Sequence, residues 1–129
     1  MPVNAPLRVV QWATGAVGRY ALRSVLSRPG LELAAVLVYD RDKIGKDAGE
    51  LVSLPYAGVS CTDDPERVMA IEADCVLHTP LPSFYFGYGL AAAAAHAINA
   101  IPAVCAAPPG VRTLLDLPLP TARARVRIR

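Results

Sequence analysis

The sequence predicts a single α/β domain built on a doubly wound, mostly parallel sheet. Three observations predict it. Short apolar, β-branched runs alternate along the chain with segments of helical spacing. A glycine turn, Thr14-Gly15-Ala16-Val17-Gly18, joins the first such run to the first such segment. The composition, 53% hydrophobic and 19% charged over 129 residues, suits one folded domain with its own core.

Leu7 to Ala13 reads as the first strand, ended by the turn. A helix follows, with Val17, Ala21, Leu22, Val25 and Leu26 on one stripe and Arg19, Arg23 and Arg28 away from it. Pro29-Gly30 stops that helix, and Leu31 to Tyr39 is a second strand, apolar enough to be covered on both faces. Residues 40–57 read as a polar loop, and Gly58 to Thr62 as a short third strand. Asp64-Pro65-Glu66 opens a helix running to Glu72, with an N-cap aspartate, proline at the first helical position and an acid in the first turn. Asp74 to His78 is the fourth strand, Gly89 to Asn99 an alanine-rich helix, and Ile101 to Cys105 a fifth strand. Right-handed crossovers then place the first strand centrally. Seven of the twelve prolines fall between Pro80 and Pro120, and beyond Ala107 no element is expected. The domain is therefore drawn at 1–107, with an irregular tail rich in Pro, Leu and Arg at 108–129.

Charge excludes one class of partner. The net charge of +2 rests on Arg123, Arg125, Arg127 and Arg129; without them residues 1–122 carry about −2. No basic patch lies upstream, so nucleic acid is not an expected partner. No Asp, Glu, Lys or Arg occurs from Cys75 to Val111, but this stretch holds His96, Asn99 and Pro102 and is mostly alanine, so it reads as packed domain interior rather than a membrane span. Met1 to Pro6 lacks the pattern of a secretory signal, and the expected compartment is the cytoplasm. Cys61, Cys75 and Cys105 form neither a metal-ligand cluster nor a disulfide framework, and read as small buried hydrophobes.

The turn carries the chemistry. In such a sheet the ligand site lies where the first strand hands over to the first helix, whose opening N–H groups and dipole suit a pyrophosphate. Ala13-Thr14-Gly15-Ala16-Val17-Gly18 fits G-x-G-x-x-G with alanine at the first glycine; Trp12, Gly15 and Gly18 fit G-x-x-G-x-x-G with tryptophan there. Asp40 follows the second strand, where an acid binds the ribose hydroxyls. An acid there suits NAD, while Arg41 and Lys43 suit the 2′-phosphate of NADP, so either cofactor is open. The fold class is thus Rossmann-like.

The turn, Asp40-Arg41 and the string Gly45-Lys46-Asp47-Ala48-Gly49-Glu50-Leu51 resemble the N-terminal domain of the dihydrodipicolinate reductases. They resemble still more the actinobacterial dihydrodipicolinate reductase-like proteins related to 2,4-diaminopentanoate dehydrogenase. The likeness runs from Leu7 to Pro80, and Asp-Ala-Gly-Glu-Leu is its specific part. It implies dinucleotide contacts at Trp12, Ala13, Thr14, Gly15, Ala16 and Val17, with Gly18 supporting the turn, and ribose or phosphate contacts at Asp40 and Arg41. It places His78 and Thr79, before Pro80, on the nicotinamide side, His78 being read as structural rather than as an acid–base group. The resemblance further implies an NAD- or NADP-dependent oxidoreductase that transfers hydride to a small imine or unsaturated, amine-bearing substrate. Family members are longer, and their second domain supplies the substrate-binding and catalytic residues and much of the oligomer contact. No catalytic or metal-binding residue is therefore assigned here. Beyond Pro82 the likeness fades, and Val104-Cys105-Ala106-Ala107 replaces the strand end where the family has paired threonines. The expectation is a truncated cofactor-binding domain, which takes a substrate only in a full-length form. The alternatives are a dinucleotide-binding module without turnover or an inactive remnant. Assembly with further copies of itself is left open.

Overall fold

The computed structural model describes residues 5–79, 88–111, 113 and 116–118. Three parallel strands, β1 (Leu7–Trp12), β2 (Leu31–Leu37) and β3 (Cys75–His78), form a sheet of order β2-β1-β3. The first strand is central, as the crossover rule requires. Between them run α1 (Ala16–Leu26), a 3₁₀ turn at Arg41–Lys43, α2 (Ala48–Leu51) and α3 (Pro65–Met69); α4 (Tyr88–Ala106) follows β3.

The sheet is covered on both faces. Val9 of β1, Leu33, Val36 and Val38 around β2, and Leu77 of β3 share a core with Leu22 and Val25 of α1 and with Ala94, Ile98 and Ile101 of α4. On the other face Val10, Ala35 and Leu37 meet Val68 of α3, with Trp12 and Ile71 at the margin. The β1–β2 register shifts between Val9 and Val10, so Val9 pairs with Leu33 but Val10 with Ala35. This bulge breaks the strict alternation of β2. As a result Leu33 and Val36, three apart in sequence, lie in one core cluster.

Two expected strands are not formed. Gly58–Thr62 makes only isolated bridges: Thr62 pairs parallel with Leu37, and Ser60 antiparallel with Asp47. Val38 N–H donates to the Thr62 carbonyl at 2.9 Å and Thr62 N–H to that of Val36 at 3.1 Å, so this segment still follows the outer edge of β2. Ile101–Cys105 is the plainer correction, because it is the last part of α4. A short apolar run does not distinguish a strand from a buried helical turn. Here tertiary packing decides, since Ala94, Ile98, Ile101 and Cys105 recur at helical spacing and join the core with α1. Pro102 is exposed within that helix. The loop at 40–57 is also more ordered than expected, carrying the 3₁₀ turn and α2. The α3 helix ends at Met69 rather than Glu72.

Two smaller devices fix the ends. Asp64 accepts from Arg67 N–H at 3.0 Å and so caps α3 as its sequence signal implied. Asp74 accepts from Arg8 N–H at 2.7 Å and returns a bond from its own N–H to the Arg8 carbonyl at 2.8 Å, which fastens the start of β3 to β1. Among the described residues no helix is long and apolar enough to cross a membrane. Of the tail expected at 108–129, residues 108–111, 113 and 116–118 are described; its four terminal arginines, like Pro80, lie outside the described residues.

Pro102 removes the N–H that would bond the carbonyl of residue 98 and crowds that carbonyl. Pro102→Ala should therefore raise unfolding stability by about 2–3 kcal/mol, read by urea or thermal denaturation. No gain would contradict a helix through this position.

Candidate functional site

The expected site residues converge at the carboxyl ends of the strands. Trp12 ends β1 with Leu37 of β2 and His78 of β3 as its register neighbours. The Trp12 and His78 rings meet edge-on, with centroids 6.4 Å apart. The chain then turns through Ala13, Thr14 and Gly15 into α1. Ala13 has φ +74°, in the left-handed region that glycine enters freely and alanine at a cost of about 1–2 kcal/mol. Ala13, at the position where the G-x-G-x-x-G frame has its first glycine, thus takes a φ that favours glycine. Gly18 shows why the last glycine is required. A Cβ there would stand 2.3 Å from the Ala13 carbonyl oxygen and 2.9 Å from Thr79 Oγ1. Only a bare Cα lets α1 lie this close to the end of β1.

The segment after β2 closes onto this turn at two points. Trp12 Nε1 donates to the Tyr39 hydroxyl at 2.7 Å. Lys43 Nζ donates to the Thr14 carbonyl at 3.2 Å and approaches Thr14 Oγ1 at 3.4 Å. Asp40 and Arg41, both exposed, lie between these two contacts in sequence. Asp40 has a local task as well, its Oδ1 accepting from Asp42 N–H at 3.1 Å to start the 3₁₀ turn.

The helix openings differ in one respect that bears on ligand binding. The 3₁₀ turn, α2 and α3 each begin with an aspartate whose side chain accepts a backbone N–H. In α1 the N-cap is Gly15, which offers no side-chain bond, and its first turn holds no acid. Its opening amides at Ala16, Val17 and Gly18 are the donors that a helix start leaves without intrahelical partners. With Thr14 buried at 4% exposure and an ammonium beside it, the residues present fit a pyrophosphate of a dinucleotide.

His78 is exposed at the sheet edge. Thr79 is drawn inward instead. Its N–H donates to the Trp12 carbonyl at 3.0 Å, its hydroxyl accepts from Gln11 Nε2 at 2.7 Å, and that hydroxyl lies 3.4 Å from the Ala13 carbonyl. Gln11 was absent from the expected site. Its signal in the sequence was a single amide inside an otherwise apolar strand.

The Asp-Ala-Gly-Glu-Leu string organises the chain beside the site. Asp47 accepts backbone N–H bonds from Gly49, Ala57, Gly58 and Val59 at 2.8–3.2 Å, gathering residues 47–59 around one carboxylate. These bonds, led by that from Ala57, hold its pKa below the ordinary carboxylate value. At Gly49 a Cβ would meet the Pro55 carbonyl oxygen at 2.1 Å. Burial pushes the Cys61 and Cys75 thiols up to about 11 and raises that of Cys105 as well, Cys75 being hydrogen-bonded to Cys105. Among the described residues no group of three or more His, Cys, Asp or Glu could hold a metal ion.

Two outcomes follow. Gly18→Ala must push α1 off the Ala13 carbonyl and should cost about 2–3 kcal/mol in denaturant unfolding; a stability equal to wild type would refute the close approach. Asp47 has a depressed folded pKa, so its contribution is complete above the unfolded value of 3.8 and is lost as pH falls through the folded one. Thermal midpoints taken across the acid range should therefore drop more steeply for the wild type than for Asp47→Asn, which starts lower at neutral pH. Parallel curves would show that Asp47 does not make these bonds.

Residues 9–105 match the family described as dihydrodipicolinate reductase, N-terminus. The amine dehydrogenase of Streptomyces virginiae is 45% identical over 73 residues, which cover 56% of this chain and 20% of that protein. The 4-hydroxy-tetrahydrodipicolinate reductase 1 of Mesorhizobium japonicum is 39% identical over 95 residues, covering 70% of this chain and 34% of that one. In fold the chain is similar to the amine dehydrogenase from Mycobacterium smegmatis, with a TM-score of 0.51 and 24% identity over 57% of this chain and 22% of that structure. The matched region is thus 20% and 34% of the length of the two relatives. With the parallel sheet order, the glycine turn and the matched span in agreement, the chain belongs to the dihydrodipicolinate reductase family and corresponds to its N-terminal, oxidoreductase-like nucleotide-binding domain.

Proposed function

We propose that residues 1–107 bind a nicotinamide dinucleotide, NAD or NADP, with its pyrophosphate at the opening turn of α1. The observation that carries this reading is the uncapped helix start behind Thr14-Gly15, in a chain that caps the 3₁₀ turn, α2 and α3 with aspartate. Backbone amides from Gly15 to Val17 take the phosphates, and Gly18 holds α1 close enough for them to do so. Asp40 accepts the ribose hydroxyls. Arg41 and Lys43 supply cations for phosphate, Lys43 from its place on Thr14. Trp12 and Ala13 flank the bound nucleotide. His78 meets the nicotinamide side, while Thr79, its hydroxyl engaged by Gln11, braces the turn.

The relatives are named as a reductase and dehydrogenases. By that likeness the bound cofactor would exchange hydride with a small imine or unsaturated, amine-bearing substrate. Residues outside this chain would supply the catalysis. The nicotinamide supplies the hydride chemistry; the part of this chain is to bind and aim the cofactor.

Trp12 is the single tryptophan, so its fluorescence reports the site directly. Titration with NADH and with NADPH should change that fluorescence saturably. Gly15→Val should abolish the change while leaving the circular dichroism intact, because the added side chain lies where phosphate must approach. Lys43→Met should weaken NADH and NADPH alike, by about tenfold for one lost charge-assisted contact to the shared pyrophosphate. No response to either nucleotide, or normal binding by Gly15→Val, would overturn the assignment.

A further inference from the structure

The nucleotide reading leaves one fully buried polar side chain without a part. Gln11 is 0% exposed near the end of β1, on the face that carries Val9 and is covered by α1. Its Nε2 donates to the Ala13 carbonyl at 2.8 Å and to Thr79 Oγ1 at 2.7 Å. Its Oε1 is buried with no hydrogen-bond partner. An unsatisfied buried carbonyl costs free energy that an apolar residue of similar size would avoid. Packing alone therefore does not explain an amide here.

The amide's partner is the residue whose conformation is out of place. Ala13 stands where the motif has glycine and takes a left-handed φ of +74° despite its Cβ. Both of its peptide groups are tied. Its N–H donates to the Leu37 carbonyl at 3.0 Å, and its carbonyl is held by Gln11. That same carbonyl faces Gly18, within 2.3 Å of where a Cβ would be. Fixing it fixes the angle at which the first turn of α1 leaves the strand.

We propose that Gln11 is a positioning residue for the nucleotide turn, whose carboxamide holds Ala13 in the left-handed conformation that a glycine would adopt unaided. Through Thr79 the same amide also ties the turn to the end of β3, so the pyrophosphate and nicotinamide ends of the site share one anchor. Released from Gln11, Ala13 relaxes toward negative φ, and the amides of Ala16 and Val17 lose their common aim. The proposal rests on the dinucleotide reading above, and its test separates the two.

The test is a cycle of Gln11→Leu, Ala13→Gly and the double variant in the full chain, read by NADH and NADPH titration and by unfolding. Gln11→Leu should weaken nucleotide binding by about tenfold, the factor that the strain of one left-handed residue converts to, at temperatures where circular dichroism shows it folded. In the Ala13→Gly background the same substitution should cost little affinity, because glycine does not need the clamp. A merely structural glutamine would give equal losses in both backgrounds, and that result would overturn the proposal, as would unimpaired binding by Gln11→Leu. Should Gln11→Leu fail to fold, a double variant that folds and binds supports the clamp, and one that also fails to fold refutes it. If the wild type binds neither nucleotide, the functional reading falls. The coupling of Gln11 and Ala13 is then still decided by whether their effects on unfolding are non-additive.

Discussion

The approach of α1 to the end of β1 is the constraint on which the rest of this structure depends. The contact is between the Ala13 carbonyl and the bare Cα of Gly18, where no side chain of any size would fit. Closing that gap brings Leu22 and Val25 down onto the sheet, in the one core that they share with α4. It also points the opening amides of α1 at the strand ends, where no side chain caps them. Core and site are therefore set by one contact, and a change there affects both.

Around that contact the chain uses backbone amides in two opposite ways. At Asp47 one carboxylate collects four of them, which shapes residues 47–59 and leaves nothing over for a ligand. At α1 the amides are left without such an acid, and the nearby charge is the Lys43 ammonium on Thr14. An acid in that first turn would stabilise the helix by its dipole and would repel phosphate. Its absence is consistent with a helix start kept for an anion.

This contrast also gives the family's characteristic string a physical meaning. Asp-Ala-Gly-Glu-Leu contributes no group to the turn itself. Asp47 is a loop organiser, and Gly49 is small because the Pro55 carbonyl lies against it. The loop so formed runs beside the segment Tyr39–Lys43, which closes on Trp12 and Thr14. A string that carries a family resemblance can thus be conformational, its carboxylate spent on the chain's own backbone.

The sequence by itself determined the strand–turn–helix opening, the second strand, the capped start of α3, β3 and the central place of β1. These are local signals: apolar period, cap chemistry and glycine spacing need no knowledge of distant residues. It also supplied the expectation of a site at Trp12 to Gly18 with Asp40 and Arg41. Only the tertiary structure decided that Ile101–Cys105 is helical, because the face presented to α1 outweighs the strand-like composition of five residues. The same holds for the bulge beside Val9, which re-aims β2, and for Thr79, which turns inward to Gln11. Above all, the pairing of Gln11 with Ala13 could not be read along the chain: a buried amide and a left-handed alanine each look like defects until the fold sets one against the other.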